Sequence, residues 1–288
     1  MNKIAVILNP AARGEKAKAM SDKIRRLAHG SSFKLSPARG HTQLLAKQAV
    51  EEGFKTIVAA GGDGTINEVV NGMAGSDATL GILPVGTMNV FAAELGLPTN
   101  NLRECWELIE AGNVRRVDLP RANKNYFVQL AGVGLDAQVV KETSWNFRKN
   151  FGPLSYVISA TQIAARKPPR LVVDAEGKLR EGSFVLIGNG RYYGGPFVIF
   201  KDAQIDDGML DVLIFKNLGY LDIVRYLNAI VFGNHVTLPD VEYFQTVKAT
   251  IRSEQEVPVE VDGELIGHLP VSFRFSSRKL KVTAPALS

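Results

Sequence analysis

The chain has 288 residues, 45% of them apolar and 22% charged, enough for one large domain or two ordinary ones with a real buried core. Its net charge of +5 suits an anionic partner such as a nucleotide or an acidic membrane surface, but the excess is too small to argue for nucleic acid, and no RNP-like or Cys/His finger pattern adds to it. The single cysteine, Cys105, excludes an internal disulfide and suits a reducing, cytoplasmic setting.

The apolar run at residues 3–8 is too short for a signal peptide and reads as a first strand, ended by Asn9-Pro10. No run of roughly 18 apolar residues exists, so no transmembrane segment is expected. The best candidate, residues 220–232, is broken by Asp222, Arg225 and Asn228. Helix and strand signals then alternate, with helices at 14–28, 42–51, 65–73 and 101–111 and strands at 32–35, 56–60 and 79–83. This is the pattern of a parallel, Rossmann-like α/β domain over residues 1–120. From about Pro120 the strands alternate in character: 126–131, 171–174, 183–188, 210–215, 257–261 and 271–275. They predict a mainly antiparallel β domain over residues 121–277. Helices are expected at 154–165 and 218–231, the second with Tyr220, Ile223, Leu227 and Ile230 on one face.

The most informative stretch joins the strand at 56–60 to Gly61-Gly62-Asp63-Gly64-Thr65, which opens a helix. Glycines let backbone approach a phosphate, and the helix N-terminus favours an anion. Thr65 and Glu68 read as a T-x-x-E capping box, and Ile66, Val69, Val70 and Met73 as the buried face. This leaves Asp63 at the loop tip, where a carboxylate beside phosphates needs a cation and so is a candidate Mg²⁺ ligand. A plain Asp-Gly turn is the competing reading. The loop is neither a G-x-x-x-x-G-K-[ST] P-loop nor a G-x-G-x-x-G dinucleotide loop. Two more turns, Asn9-Pro10-Ala11-Ala12-Arg13-Gly14 and Pro84-Val85-Gly86-Thr87-Met88-Asn89, follow strands whose carboxyl ends share one sheet edge, where ligands bind in open α/β sheets.

These motifs, with Asn67-Glu68, resemble the diacylglycerol kinase catalytic-domain family, which includes bacterial lipid kinases and sphingosine kinases. The second half is similar too, in Gly188-Asn189-Gly190-Arg191-Tyr192-Tyr193-Gly194-Gly195, Asp202-Ala203, Asp206-Asp207-Gly208 and Asp262-Gly263-Glu264. The resemblance implies an α/β domain and a β-rich domain with a nucleotide in the cleft between them. It implies that a final strand, within residues 278–288, returns to the first domain. ATP contacts are implied for Asn9, Pro10, Ala11, Ala12, Arg13, Thr42, Gly62, Asp63, Gly64, Thr65, Ile66, Asn67, Glu68 and Thr87. A structural Mg²⁺ is implied at Asp207 with main-chain oxygens of Gln204 and Met209. Glu264 is implied as the catalytic base, and Asp118 as an acidic residue near the catalytic metal. The sequence departs from the family pattern at Arg13 and at Pro196, which follows Gly195.

Read from its own surroundings, Glu264 follows an Asp-Gly hairpin turn and is a solvated glutamate. Asp206-Asp207-Gly208 lacks the remaining spacing of a calcium loop, and His29, His41, His235 and His268 lack metal-ligand spacing. Residues 145–167 mix aromatic, apolar and basic side chains, which fits either an anionic lipid surface or an ordinary packed helix. The expected activity is transfer of the γ-phosphoryl group of ATP to a lipid hydroxyl, in lipid metabolism and phospholipid biosynthesis. An NAD kinase and a non-catalytic lipid-binding protein are the rivals, and a homodimer stays open.

Overall fold

The computed structural model describes residues 3–9, 15–37, 40–135, 137–138, 168–195 and 197–286. The polypeptide divides into two compact units, Met1–Leu119 with Ser277–Ser288, and Pro120–Ser276.

The first unit alternates strands and helices: β1 (Ile4–Leu8), α1 (Glu15–Leu27), β2 (Ser32–Leu35), α2 (His41–Glu51), β3 (Thr56–Gly61), α3 (Asp63–Met73), β4 (Thr79–Pro84), α4 (Val90–Glu94), α5 (Leu102–Ala111) and β5 (Val114–Val117). β1 to β4 are parallel in the order β2-β1-β3-β4, and the chain's last strand, Leu280–Thr283, lies between β4 and β5. β1 and β3 are nearly continuous apolar runs because both faces are covered: Ala5, Val6, Ile7, Ile57, Val58, Ala59 and Ala60 are fully buried. The chain reverses direction across the sheet between β1 and β3, the switch point of the doubly wound order. α2 and α3 pack closely: a Cβ on Gly72 would lie 2.2 Å from the Gln43 carbonyl oxygen. The expected apolar face of α3 is buried at Ile66, Val69, Val70 and Met73.

The second unit is antiparallel: β6 (Pro120–Ala122), β7 (Asn125–Tyr126), β8 (Leu130–Val133), β9 (Leu171–Ala175), β10 (Lys178–Gly182), β11 (Phe184–Gly188), β12 (Tyr192–Tyr193), β13 (Phe197–Val198), β14 (Leu210–Phe215), α6 (Tyr220–Val231), β15 (Val241–Thr246), β16 (Lys248–Arg252), β17 (Pro258–Val261), β18 (Glu264–His268) and β19 (Val271–Phe275). The last strand, Leu280–Thr283, is β20. One sheet runs β10-β9-β16-β19-β6-β7 and the other β15-β14-β11-β8-β17-β18. Alternation along β8, β11 and β14 sends Ala131, Val133, Val185, Ile187, Val212 and Ile214 into the core shared with Val173, Ile251 and Phe273 of the other sheet. The alternate residues Leu130, Leu186, Leu213 and Phe215 face a second core with Phe200, Ile223 and Tyr226, so α6 covers the outer face of that sheet.

Two expectations change here. The strand expected at 126–131 is broken into β7 and β8, because the amides of Val128, Gln129 and Leu130 bond to the Asp262 carboxylate. Tyr220, placed on one face with Ile223, Leu227 and Ile230, is 58% exposed where Ile223 is buried, since it stands at the first position of α6. The helix expected at 154–165 lies outside the described residues.

Candidate active site

In the first unit, β3 ends at Gly61 and α3 begins at Asp63, with Gly62 as an extended N-cap. The helix therefore starts earlier than the sequence reading had it, which corrects the capping box. Thr65 and Glu68 sit inside α3, and the Glu68 carboxylate accepts the Gly40 amide at 3.2 Å. Asp63 is likewise no loop tip. Its carboxylate turns to the start of α4 and accepts the Phe91 amide at 3.3 Å. Burial pushes its pKa up, while the amides of Phe91, Val90 and Asn89 pull the other way.

The loop after β4 packs on the first loop backbone to backbone. A Cβ on Gly86 would lie 2.4 Å from the Gly62 Cα and 2.8 Å from Asn89 Oδ1, so only glycine fits. Asn89 takes a left-handed conformation, φ 50°, and closes its loop by accepting from Gly86 N at 3.0 Å and donating to Gly86 O at 2.9 Å. Thr87 is exposed on this loop. Asn9, half-buried after β1, donates its amide to Ala60 O at 3.4 Å. Thr42 is fully buried at the start of α2, whose N-cap is Gly40. Thr42 Oγ1 and Glu68 Oε2 are buried with no hydrogen-bond partner among the described residues. The structure thus brings Gly62, Asp63, Thr87 and Asn9 to the carboxyl ends of β1, β3 and β4, with Glu68 tied to the Gly40 turn. Ile66 is core and fully buried, and Asn67 is 6% exposed. Pro10, Ala11, Ala12 and Arg13 lie outside the described residues, as do residues 145–167 and Pro196. Asp118 is buried in this unit, 3.0 Å from the Lys279 ammonium.

In the second unit, Asp262 and Gly263 both take positive φ, 47° and 82°, and join β17 to β18 with Val261 opposite Glu264. This is the two-residue hairpin that an Asp-Gly pair predicts. Glu264 is half-buried at the head of β18, an edge strand. Its turn is held from both sides. Glu260 Oε2 accepts the Gly263 amide at 2.7 Å, and the Asp262 carboxylate accepts Val128, Gln129 and Leu130 amides at 2.8, 3.0 and 3.1 Å. The glycine-rich motif after β11 reaches the same segment: Asn189 Nδ2 donates to Val128 O at 2.9 Å, and Gln129 Nε2 donates to Tyr192 O at 2.9 Å.

Further along, Asp207 Oδ1 accepts the Met209 amide at 2.8 Å and Asp207 N donates to Gln204 O at 3.5 Å, which folds the three expected metal ligands into one turn. Asp211 follows at the start of β14, fully buried and bonded by Tyr243 and by Gln245 at 3.1 Å. Burial pushes its pKa up to about 6, and the charges of Asp207 and Asp202 add to the shift.

The description "Diacylglycerol kinase catalytic domain" matches residues 3–122, and "YegS C-terminal NAD kinase beta sandwich-like domain" matches residues 129–284. A "Diacylglycerol kinase" of Staphylococcus aureus is 30% identical, with 97% of this chain and 91% of that protein covered. Another, of Bacillus subtilis, is 29% identical over 99% of this chain and 97% of its own length. The chain belongs to the diacylglycerol kinase catalytic-domain family. Its fold is also that of a solved structure described as a putative diacylglycerol kinase from Bacillus anthracis, with a TM-score of 0.84, 24% identity, and coverage of 99% and 96%.

Membership makes this a kinase-family chain with a nucleotide as the implied phosphoryl donor. The sequence reading missed Asp262, Gln129, Asn89 and Asn189 as site residues. Asn89, Asn189 and Asp262 stand inside quoted motifs, but a motif does not say whose amides a side chain accepts. Gln129 carries no local signal at all.

Proposed function

We propose that this chain is an ATP-dependent kinase that transfers the γ-phosphoryl group to a lipid hydroxyl such as that of diacylglycerol. The observation that carries the reading is the packing of Gly62 on Gly86 at the carboxyl ends of β3 and β4, in a member of this family. Two side-chain-free backbones meeting there give phosphates close access to amides. The unpartnered Thr42 Oγ1 and Glu68 Oε2 support a polar ligand beside them. Nucleotide binding is assigned to Met1–Leu119 with Ser277–Ser288, and lipid binding to Pro120–Ser276. No helix among the described residues is long and apolar enough to cross a membrane. The lipid is proposed to be met from the cytoplasmic side by peripheral contact.

Asn9, residues 10–13, Thr42, Gly62 to Thr65, Glu68 and Thr87 hold the nucleotide, and Ile66, fully buried in the core, positions the helix rather than touching it. Mg²⁺ bound with it would offset the phosphate charge, and Asp63 is the carboxylate of this loop that would hold the ion. Glu264 takes the proton of the acceptor hydroxyl as its oxygen bonds to the γ-phosphorus and the bond to the β,γ-bridging oxygen breaks. Positioning and electrostatics then account for most of the barrier reduction. A second Mg²⁺ is assigned to Asp207 with the Gln204 and Met209 carbonyls. The hard oxygen donors fit it, and nearby Asp211 Oδ2 is buried with no hydrogen-bond partner among the described residues.

The test is transfer of label from γ-labelled ATP, with Mg²⁺, to diacylglycerol in detergent micelles and to NAD in parallel. Label in the lipid supports the reading. Label in NAD alone replaces the acceptor, and label in neither overturns the activity.

A further inference from the structure

α6 is apolar on both sides. Its inner face, Ile223, Tyr226 and Ala229, is buried in the core beneath it. Its outer face carries Leu221 at 78% exposure, Val224 at 44% and Val231 at 63%, and Phe232 just past the end at 74%. Positions 221, 224, 228 and 231 fall on one helical stripe, and Asn228 is its one polar member. A helix that had only to cover its sheet would carry charge on this side.

The helix is also held rigidly. Arg225 Nη1 donates to Asp240 Oδ1 at 2.7 Å, Arg225 Nη2 donates to Asp222 Oδ1 at 3.0 Å, and the Tyr226 hydroxyl donates to Asp240 Oδ2 at 2.5 Å. These bonds occupy the only carboxylate of the helix with the only cation of the helix. A cation stands at the C-terminal end of the stripe, and a lysine paired with Glu242 precedes its N-terminal end in the chain. At the C-terminal end a Cβ on Gly233, next to Phe232, would lie 3.8 Å from Lys201 Nζ. Before the N-terminal end, Lys216 is exposed, with its ammonium 3.9 Å from Glu242.

We infer that the outer face of α6 docks this protein on an anionic lipid bilayer, with Leu221, Val224, Val231 and Phe232 entering the headgroup boundary and Lys201 and Lys216 meeting its negative charge. The choice of a bilayer rests on the lipid-kinase reading and on the flanking cations. A second copy of the chain fits less well. A helix of 12 residues is roughly 18 Å long. Four side chains along it are a small patch beside the roughly 800 Å² per partner that a standard interface buries.

The experiment is co-sedimentation of the full chain with vesicles of phosphatidylglycerol and phosphatidylcholine, and with vesicles of phosphatidylcholine alone. It compares wild type with Leu221→Ser/Phe232→Ser and with Lys201→Glu/Lys216→Glu. Circular dichroism and gel filtration are run on each, and transfer to diacylglycerol in micelles is measured separately. The wild type should bind anionic vesicles more tightly than neutral ones, and both variants should lose at least about tenfold in apparent affinity while keeping their fold and micellar activity. Vesicle binding that neither variant weakens overturns the proposal, as does no binding by the wild type. A Ser variant that turns a dimer into a monomer without changing vesicle binding assigns the face to a second copy and also overturns it. Loss of vesicle binding in the variants, with no lipid phosphorylated by any form, leaves docking supported and the kinase reading overturned.

Discussion

The Asp262 carboxylate accepts the Gln129 amide at 3.0 Å across 133 residues of chain, and with the Val128 and Leu130 amides it fixes the hairpin that presents Glu264. Asp262→Ala removes an ionised acceptor from these amides and places alanine at positive φ. We expect a loss of about 2–4 kcal/mol in unfolding free energy and a large fall in kcat. Asn tolerates the left-handed turn and keeps one acceptor oxygen, so Asp262→Asn should be milder in both. Chemical denaturation with parallel kinetics checks this, and an Asp262→Ala protein of wild-type stability contradicts it.

Gly86→Ala forces a Cβ to 2.4 Å from the Gly62 Cα, with backbone on one side and the buried Asn89 on the other. Neither neighbour can swing away. The two loops must separate, and nucleotide affinity should fall by more than about tenfold, seen as a raised KM for ATP. An unchanged KM means that the loop pair does not hold the nucleotide.

How much of this was legible in the sequence depends on range. Strand β3, the body of α3 and the Asp262-Gly263 hairpin are specified by neighbours in sequence, and the structure has them where periodicity and turn chemistry put them, with α3 starting two residues early. The failures are long-range. Nothing near Asp63 says that its carboxylate caps the short helix α4, 28 residues on, so it read as a loop tip. Thr65 and Glu68 have the spacing of a cap, but Gly62 starts the helix earlier and Glu68 reaches Gly40 instead. The segment 126–131 has strand-like residues, yet Asp262 takes three of its amides and breaks it.

If Asp207 holds a structural Mg²⁺, the ion binds the folded chain alone and stabilises it by mass action, about 2.7 kcal/mol at a hundredfold excess over its Kd. Removing Mg²⁺ with a chelator should lower the Tm of the wild type. Asp207→Ala should begin lower and show no response to Mg²⁺. Equal melting temperatures for both proteins, with and without Mg²⁺, count against an ion in that turn.

In acid, His235 and Asp240 each contribute a loss of stability to the second unit in a different range, against an opposing gain as the buried Asp211 carboxyl takes up its proton below about pH 6. His235 is fully buried, donates through Nε2 to Ile199 O at 2.7 Å, and has its pKa lowered by burial, with the Lys201 charge adding to the effect. The unfolded chain takes up this proton first, so stability is lost as pH falls below about 6.5. The Arg225 guanidinium holds the Asp240 carboxyl well below the usual range, so that contribution is present above about pH 4 and lost as pH falls below it. His235→Gln should flatten the stability profile just below about pH 6.5 and leave the range below about pH 4 alone. A slope unchanged by the substitution assigns the acid sensitivity elsewhere.

In the proposed reaction Glu264 takes the proton of a lipid hydroxyl as that hydroxyl attacks the γ-phosphorus. Glu264→Gln keeps the size of the side chain and removes the proton acceptor. The measurement is the steady-state rate of phosphoryl transfer from ATP to diacylglycerol in micelles, for wild type and Glu264→Gln, with ATP binding determined separately for each. We expect kcat to fall by about 10²–10⁴ while ATP binding and Tm hold, because the interaction matters in the transition state. A Gln variant that keeps most of its kcat would falsify the assignment and leave Glu264 an ordinary residue beside a hairpin turn.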